Sequence, residues 1–445
     1  MAIHPIEYRY GTPEMKTVWD EKTKLKKMLK VEVALAKAEA DIGLIPKEAA
    51  DKISSGIKKV SVDRVKEIED EISHDIMAVV LSLSEQSGKY GEWVHFGATS
   101  NDIIDTSLAL QFKEAIPILE EKMIRLRSAL VDQADAHKET VCAGRTHGQI
   151  GIPTTFGLKF AIWAEEVDRH IERLSQIKPR ILVGKMSGAV GTQAAFGELG
   201  IEIEQKVMEY LGLGVTSVSN QIIQRDRHIE FVMFMANLAT TLDKICIEIR
   251  TLQRTEIGEV QEFFGKKQVG SSTMPHKRNP IKSEQVSGLA RIIRSHVQAE
   301  FLNNTLWDER DLTNSSPERI IFPEACILTD HIVKLTAGII ENLQFYPENI
   351  KKNLNLLGGL NMAEAVMIEL ARRGFGRQKA HEVCRDCAMK ASKEDRGFLD
   401  VLLENGGVSK YLTKDELEGI LNPYNYIGTA FRKVESVVER LRGEG

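Results

Sequence analysis

The sequence has few of the residues that interrupt helices. It contains 12 prolines and 33 glycines in 445 residues, so long segments keep helical periodicity without a break. Apolar residues recur at three- and four-residue steps most clearly over 227–257, and comparable patterns cover 114–140, 154–177, 281–304 and 318–345. Several of these segments are apolar on more than one face, as expected for helices buried on several sides. The pattern predicts an all-α protein built around a long helix bundle.

Cysteine is also scarce, and long apolar runs are missing. The five cysteines are an odd number scattered along a large chain, which argues against a disulfide framework. Cys384 and Cys387 form a C-x-x-C within a helical pattern and without a preceding strand, so we interpret them as reduced structural thiols. No segment approaches the roughly 20 apolar residues of a membrane span, and no signal peptide is evident. We therefore expect a cytoplasmic protein with no membrane partner.

A basic excess is missing as well. The net charge is −5, whereas a protein that binds nucleic acid regardless of sequence needs a basic surface. We expect no nucleic-acid partner. The chain is longer than the roughly 250–300 residues at which one hydrophobic core stops growing, and its helical character changes near residues 99 and 350. We predict three helical domains, over 1–98, 99–350 and 351–445.

Several helix boundaries can be predicted from single residues. The segment 13–42 is expected to be one helix that ends at Gly43. Pro280 is well placed to open a helix, because proline costs least in the first turn. Pro323 is expected to kink a later helix. The best strand signal is short, at 181–184.

Three polar, glycine-containing segments interrupt the helices. They are HFGATSNDIIDT at 95–106, GRTHGQ at 144–149 and EFFGKKQVGSSTMPHKRNP at 262–280. A purely structural bundle needs no such loops, whereas loops held by a rigid frame often carry catalytic groups. We interpret 262–280 as a mobile lid over an anionic substrate, with Gly265 and Gly270 as hinges. The alternative for this segment alone is a solvated basic loop.

The string GSSTMPHKRNP at 270–280 resembles the signature loop of the fumarase/aspartase superfamily, and the other two segments resemble its remaining conserved regions. Members of this superfamily release fumarate from a succinyl-bearing substrate. Within it the chain is most similar, over essentially its whole length, to the adenylosuccinate lyase family. Four features carry this closer resemblance, namely RY followed by PEM at 9–15, SHD at 73–75, the histidine of GRTHGQ, and WDERDLTNSSPER at 307–319.

The resemblance implies a role for each polar residue of the signature loop. Removing a proton beside a carboxylate creates a dianion, which cations and hydrogen-bond donors must stabilise as it forms. By resemblance Ser271 is the general base, and Lys277 and Asn279 bind the developing dianion. A serine is a poor base, so this hypothesis requires the loop to close around Lys277.

Three further residues are implied in proton transfer. His147 matches the general acid that protonates the departing purine nitrogen, and histidine exchanges protons near neutral pH. Glu284 matches the residue that orients this histidine, although an exposed first-turn carboxylate is the alternative. His74 matches a substrate-binding histidine that shares the acid role, and a satisfied surface histidine is equally compatible with the sequence.

The resemblance implies a set of substrate-binding residues, which are Arg9, Tyr10, Ser73, His74, Asp75, Thr99, Ser100, Gln221, Lys277, Asn279, Arg310, Ser315 and Arg319. Thr99 and Ser100 match a pair that contacts the substrate carboxylate, but they could also cap a helix. Gln221 matches a glutamine that contacts the nucleotide, with Gln224 as the competing choice.

The phosphate end of the substrate is expected to meet forked guanidinium donors. Arg310, Ser315 and Arg319 match the phosphate-contacting spacing, with Arg9 and Tyr10 beside them. The alternative for the arginines is surface ion pairing with acidic neighbours, which are Glu309, Asp311 and Glu318.

The resemblance also implies the partners. The substrates would be adenylosuccinate and the carboxamide ribotide analogue SAICAR. The assembly would be a homotetramer with a 20-helix core and active sites shared between subunits. We find no metal motif or cofactor fingerprint and expect neither. The alternatives are another superfamily member, chiefly 3-carboxy-cis,cis-muconate cycloisomerase, or a non-catalytic structural paralogue.

Overall fold

α-Helix dominates the computed structural model, which describes residues 3–265, 267–268 and 270–443. The predicted all-α fold class is therefore confirmed. The N-terminal helices are α1 Pro5–Tyr8, α2 Pro13–Trp19, α3 Glu21–Asp41, α4 Lys47–Gly56, α5 Val62–Ile72 and α6 Asp75–Ser87. The helices that follow are α7 Ser100–Ala136, α8 Phe156–Ile181, α9 Gly200–Leu211, α10 Asp226–Leu252, α11 Ile281–Asn303 and α12 Ser315–Glu341. The C-terminal helices are α13 Pro347–Leu354, α14 Ala363–Arg372, α15 Arg377–Glu394, α16 Phe398–Glu404, α17 Lys414–Leu421 and α18 Ala430–Gly443.

Short strands and 3₁₀ turns join these helices. Strands pair in twos, as β1 Val141–Thr146 antiparallel to β2 Gln149–Thr155, β3 Val183–Gly184 parallel to β4 Gly214–Val215, and β5 Val260–Gln261 antiparallel to β6 Gln344–Phe345. The 3₁₀ turns are Ile57–Lys59, Gly88–Trp93, Gly197–Leu199, Leu360–Met362 and Pro423–Asn425. The predicted strand at 181–184 is present only as the two residues of β3.

The single helix predicted over 13–42 is wrong, because α2 and α3 divide this segment. Asp20 is extended, with φ −69° and ψ 155°, and its carboxylate accepts the backbone N–H of Thr23 at 2.6 Å. An aspartate in this conformation satisfies a free N–H of the first turn, so it starts a new helix.

The long helices agree with the predicted segments, with one large difference. α7 begins at Ser100, well before the periodic segment 114–140 but consistent with the alternative that Thr99 and Ser100 stand at a helix start, so most of the polar segment 95–106 is helical. The carboxylate of Asp102 reaches back and accepts the N–H of Thr99 at 2.9 Å, which stabilises this early start. α11 follows Pro280 as predicted, and Pro323 lies inside α12.

The described residues form two compact units, each built from three stretches of chain. The first unit comprises Met1–Ile124, Arg169–Leu242 and Gly288–Lys334. The second comprises Arg125–Asp168, Asp243–Ser287 and Leu335–Gly445. The boundaries near residues 99 and 350 stay a prediction. None of the helices in the described ranges is long and apolar enough to cross a bilayer.

Each unit has its own apolar core. In the first unit, α3 packs against α4, α6 and α9 through buried side chains such as Leu35, Ile53 and Leu83. In the second unit, α14 to α17 pack around Phe398. Cys384 lies in this second core, where burial raises the pKa of its thiol to about 12. These cores hold the helix ends and loops that carry the candidate site.

Candidate active site

A cavity of about 240 Å³ in the first unit collects part of the predicted substrate-binding set. Asp75 from the start of α6, Arg310, and Ser315 and Arg319 from the start of α12 all line it. We call it the α12 cavity. It also contains side chains that no motif indicated, which include Trp19, Lys24, Asn101, Asn314 and Arg225.

The predicted arginines of the α12 cavity have specific partners. Arg319 donates to the carboxylate of Asp75 at 2.5 Å. Arg310 donates to the side-chain oxygen of Gln221 at 3.0 Å, whereas the competing Gln224 donates to Asn220 at 3.2 Å. Burial lowers the pKa of Arg310 below its usual value. The structure therefore places Gln221, rather than Gln224, beside Arg310, which is a predicted phosphate-binding residue.

A buried ion-pair network lies behind this cavity. Arg225 is 1% exposed, and its guanidinium donates to the carboxylate of Asp105 at 2.9 and 3.0 Å and to that of Glu318 at 2.7 and 3.0 Å. The Arg225 guanidinium lowers the pKa of Asp105 against the raising effect of burial. Because Glu318 lies between Ser315 and Arg319 in sequence, the network fixes the start of α12.

Four polar atoms of the α12 cavity are buried without a hydrogen-bond partner among the described residues. They are two donors, Trp19 Nε1 and Arg310 Nε, and two acceptors, Asn101 Oδ1 and Asn314 Oδ1. The Asn314 amide nitrogen is already committed to Glu318 at 2.9 Å, which leaves its oxygen free. Buried polar groups are costly unless they are paired, so this cavity suits a polar ligand.

Other predicted residues of the first unit lie outside the lining of this cavity. The ring of Tyr10 lies 5.7 Å from that of His331, and Arg9 lies over the Tyr10 ring at 5.8 Å.

The SHD segment joins α5 to α6. The backbone of Ser73 has a left-handed conformation, with φ 53°. The half-exposed ring of His74 accepts the N–H of Met77 at 3.3 Å and so caps α6. The SHD segment is thus a helix-to-helix corner that presents His74 to solvent.

The Thr99–Ser100 pair is held at the start of α7 by a second buried ion pair. The Asp102 carboxylate accepts the N–H groups of Thr99, Ser187 and Gly188, at 2.9, 3.0 and 3.2 Å, and pairs with Lys185. Asp102 therefore supplies the cap for this helix start.

The signature loop, residues 270–280, lies in the second unit. The Ser271 hydroxyl accepts the N–H of Thr273 at 3.3 Å and of Met274 at 3.0 Å. Asn279 donates to the carbonyl of Gly270 at 2.9 Å. Lys266 and Val269, which belong to the predicted lid 262–280, lie outside the described residues.

Gly270 has a steric role within this loop. A Cβ at this position would lie 2.0 Å from the carbonyl oxygen of Lys277, closer than any side chain allows. The two ends of the loop therefore approach each other only because residue 270 has no side chain. The role of Gly270 as a hinge stays a prediction.

A second opening in this unit, which we call the loop cavity, has a volume of about 860 Å³. Lys277, Asn279 and Glu284 line it together with His276 and Arg278. Other cationic residues of its lining are Arg250 and Arg254. The excess of cations suits an anionic ligand.

His147 lies at the tight turn between β1 and β2. Its φ is 53°, that of the following Gly148 is 76°, and the side chain is exposed. Arg145, on β1, pairs with the fully buried Glu259 and so anchors the strand. In the part of the chain that the structure describes, no hydrogen bond or ion pair joins His147 to Glu284. The predicted pairing of these two residues is not formed within one chain.

Lys24 and the buried aspartates of α7 differ in how far the sequence indicates them. Lys24 is one of five lysines in EKTKLKKMLK at 21–30, so nothing in the pattern singles it out. Asp102 and Asp105 stand one helical turn apart among buried apolar residues of α7. Acids on an otherwise apolar face need partners, and that signal could have identified a buried ion-pair network.

Comparisons with known proteins cover the whole chain. A lyase family profile matches residues 7–294, and the adenylosuccinate lyase C-terminus profile matches 359–437. The adenylosuccinate lyase of Methanocaldococcus jannaschii is 56% identical over 100% of this chain and 97% of that protein. That of Pyrococcus abyssi is 58% identical over 98% of each chain. This chain belongs to the adenylosuccinate lyase family.

Two solved structures share the fold at lower sequence identity. The fumarate lyase from Mesorhizobium sp. BNC1 superposes with a TM-score of 0.90 at 31% identity, over 96% of this chain and 98% of that chain. The 3-carboxy-cis,cis-muconate lactonizing enzyme from Pseudomonas putida also gives 0.90 at 31%, over 99% of each. The adenylosuccinate lyases are far more similar in sequence, so the cycloisomerase alternative is not favoured, and the prediction of a lyase is confirmed.

Proposed function

We propose that this chain cleaves adenylosuccinate to AMP and fumarate, and SAICAR to AICAR and fumarate, in cytoplasmic purine nucleotide synthesis. Full-length similarity to adenylosuccinate lyases supports the reaction. The observation that carries the substrate assignment is the α12 cavity, where Arg310 and Arg319 stand beside Ser315. Guanidinium groups and a hydroxyl suit a phosphate ester, which a nucleotide substrate has and a carboxymuconate lacks.

In the proposed binding mode, the α12 cavity takes the 5′-phosphate. Gln221, bonded to Arg310, contacts the adjoining nucleotide, and Arg9 and Tyr10 complete the phosphate clamp. Ser73, His74 and Asp75, at the corner between α5 and α6, and the Thr99–Ser100 pair contact the rest of the substrate.

The signature loop supplies the chemistry. Ser271 removes the proton from the succinyl carbon beside the carboxylate, and the positive field of Lys277 lowers the proton affinity of its hydroxyl. Lys277 and Asn279 stabilise the dianion. The C–N bond then breaks, fumarate leaves, and His147, oriented by Glu284, protonates the departing nitrogen. These donors stabilise charge that develops in the transition state.

We also propose a homotetramer in which each active site takes residues from three subunits. Large apolar side chains on the long helices are about half exposed in the single chain, and they are Ile162, Met233, Ile247 and Ile292. Exposed apolar surface on helices of this length suits contact with other copies. Sharing would also account for the absence of a His147–Glu284 contact within one described chain.

Direct assay tests the reaction. The purified protein should deplete adenylosuccinate, followed by ultraviolet absorbance, and release an equal amount of fumarate. Carboxymuconate serves as the comparison substrate. His147→Ala should abolish most of the purine activity while leaving the protein folded. Turnover of neither purine substrate by the wild-type enzyme would refute the assignment.

Mixing two inactive variants tests the shared sites. His147→Ala and Ser271→Ala are each expected to be nearly inactive alone. If the two residues of one active site come from different subunits, hybrid tetramers contain sites with neither substitution, and part of the activity returns. Light scattering should give the mass of four chains. No recovery of activity in verified hybrids would refute shared sites.

A further inference from the structure

Lys24 occupies an unexpected place in the α12 cavity. It lies near the start of α3, in a run of five lysines. Of these, Lys22, Lys26 and Lys30 are exposed, and Lys27 pairs with Glu114. Lys24 is half-buried and lines the cavity with Arg310, Ser315 and Arg319.

The charges that line this cavity do not balance. Its carboxylates are Glu21, Asp75 and Glu318, and each is already paired. Asp75 pairs with Arg319 and Glu21 with Lys66. Glu318 pairs with Arg225, which also holds Asp105.

Two of the lining cations have no hydrogen bond or ion pair to a carboxylate within the described residues. Arg310 bonds only to the neutral amide of Gln221 among its described contacts, and its Nε is buried without a partner. Lys24 has no hydrogen bond or ion pair to any residue within the described ranges. Burial and the nearby Arg319 lower the pKa of Lys24, and the carboxylates of Asp75, Glu21 and Glu69 offset this only in part.

We propose that Lys24 is a phosphate-binding residue of this enzyme, which together with Arg310 offers positive charge to a phosphate monoester. The inference rests on the proposed nucleotide substrate and adds to it a specificity determinant on α3. A lysine ammonium binds phosphate as a compact point charge, whereas the arginine provides directed donors. Lys24 and Arg310 together therefore discriminate between ligands by their charge as well as by their shape.

Ligands with and without phosphate provide the test. Lys24→Met should weaken AMP binding, measured by calorimetry, roughly 10- to 100-fold, because a hydrogen bond to a charged group is lost. Adenosine binding should be unchanged. For catalysis, KM for adenylosuccinate should rise by a similar factor while kcat changes little, and kcat/KM for succinyladenosine should stay at its wild-type value.

The same helix offers matched controls. Lys22→Met removes an equal charge from an exposed position and should leave AMP affinity unchanged. Lys24→Arg keeps the charge and should retain most of the affinity. Equal AMP affinity in the wild-type enzyme and Lys24→Met would overturn the proposal, as would an equal loss of adenosine and AMP binding.

A failure of the proposed function can be distinguished from a failure of the proposed role of Lys24. If the wild-type enzyme cleaved neither purine substrate, the reaction would be wrong, but binding of inorganic phosphate to the wild-type enzyme and to Lys24→Met would still test Lys24. If Arg310→Ala lost discrimination between AMP and adenosine while Lys24→Met kept it, the phosphate site would stand and the role of Lys24 would be refuted.

Discussion

The α12 cavity and the signature loop differ in how their charged side chains are held. In the cavity, Arg225 is buried, and its guanidinium donates to the carboxylates of Glu318 and Asp105. In the loop, Lys277 and Arg278 are exposed, and Asn279 bonds back to Gly270 of the same loop. The proposed binding groups are thus built into the fold, whereas the proposed reacting groups lie at its surface. Substitutions in the buried ion-pair network behind the cavity should cost stability, and substitutions in the loop should cost rate alone.

The largest expected effect is on rate, at Ser271. Ser271→Ala removes the proposed general base, so kcat should fall about 10²–10⁴-fold. The melting temperature should stay the same, because the hydroxyl bonds only to backbone N–H groups of its own loop among the described contacts. Fumarate release and thermal unfolding are the measurements. Ser272→Ala, at the exposed neighbouring position, is the control. An equal loss in the control would contradict the assignment of Ser271 as the base.

The largest effect on stability is expected at Arg225. Arg225→Met leaves the buried carboxylates of Asp105 and Glu318 without their cation, which should lower the free energy of unfolding by about 3–5 kcal/mol. Arg227→Met is the control, because Arg227 donates one exposed hydrogen bond, to the carbonyl of Arg180, and should cost at most about 1 kcal/mol. Urea denaturation measures both. Equal losses in the two variants would show that the buried network does not stabilise the first unit.

A steric change in the loop should separate rate from stability. Gly270→Ala forces a Cβ against the Lys277 carbonyl, and the displaced loop should lower kcat/KM about 100-fold. Gly419→Ala, at an exposed position in α17, meets no atom within 4 Å and should stabilise the protein by about 0.5–1 kcal/mol without changing activity. Unchanged kcat/KM in Gly270→Ala would mean that the closed approach of the loop ends is not needed for turnover.

The smallest expected effect concerns pH. Glu300 is fully buried, and burial, with Glu318 nearby, raises its pKa from 4.5 to about 7. The folded protein therefore holds this proton more tightly than the unfolded chain, and rising pH between 4.5 and 7 favours unfolding. Glu300→Gln should flatten this dependence by up to about 1.4 kcal/mol per pH unit. Urea unfolding across this range measures it, with exposed Glu309→Gln as the control. Parallel pH profiles in wild type and Glu300→Gln would contradict the assignment.

The sequence predicted the helices well because their apolar periodicity is local. The hairpin of β1 and β2 was missed, since its strands are short and its turn was read only as a polar loop. Asp20 was also missed, because a single capping residue interrupts an otherwise continuous pattern.

Roles for the signature loop could be proposed from the sequence because the motif itself carries the relevant side chains. The proposed role of Lys24 was not predictable, because it depends on which of five similar lysines lines the α12 cavity. Nor was Arg225, because its partners come from distant parts of the chain. No hydrogen bond or ion pair joins His147 to Glu284 within one described chain, and the sharing of sites between subunits stays a prediction.

The separation in sequence between Arg225 and its two partners determines when this ion-pair network can form during translation. Asp105 lies 120 residues before Arg225, and Glu318 lies 93 residues after it. A growing chain that has not yet emerged past α12 therefore lacks part of the buried ion-pair network and part of the proposed phosphate site. Contacts so distant in sequence form late, after local helices. A partly translated protein should be unable to capture nucleotide, and truncation before residue 318 should yield chains that chaperones retain.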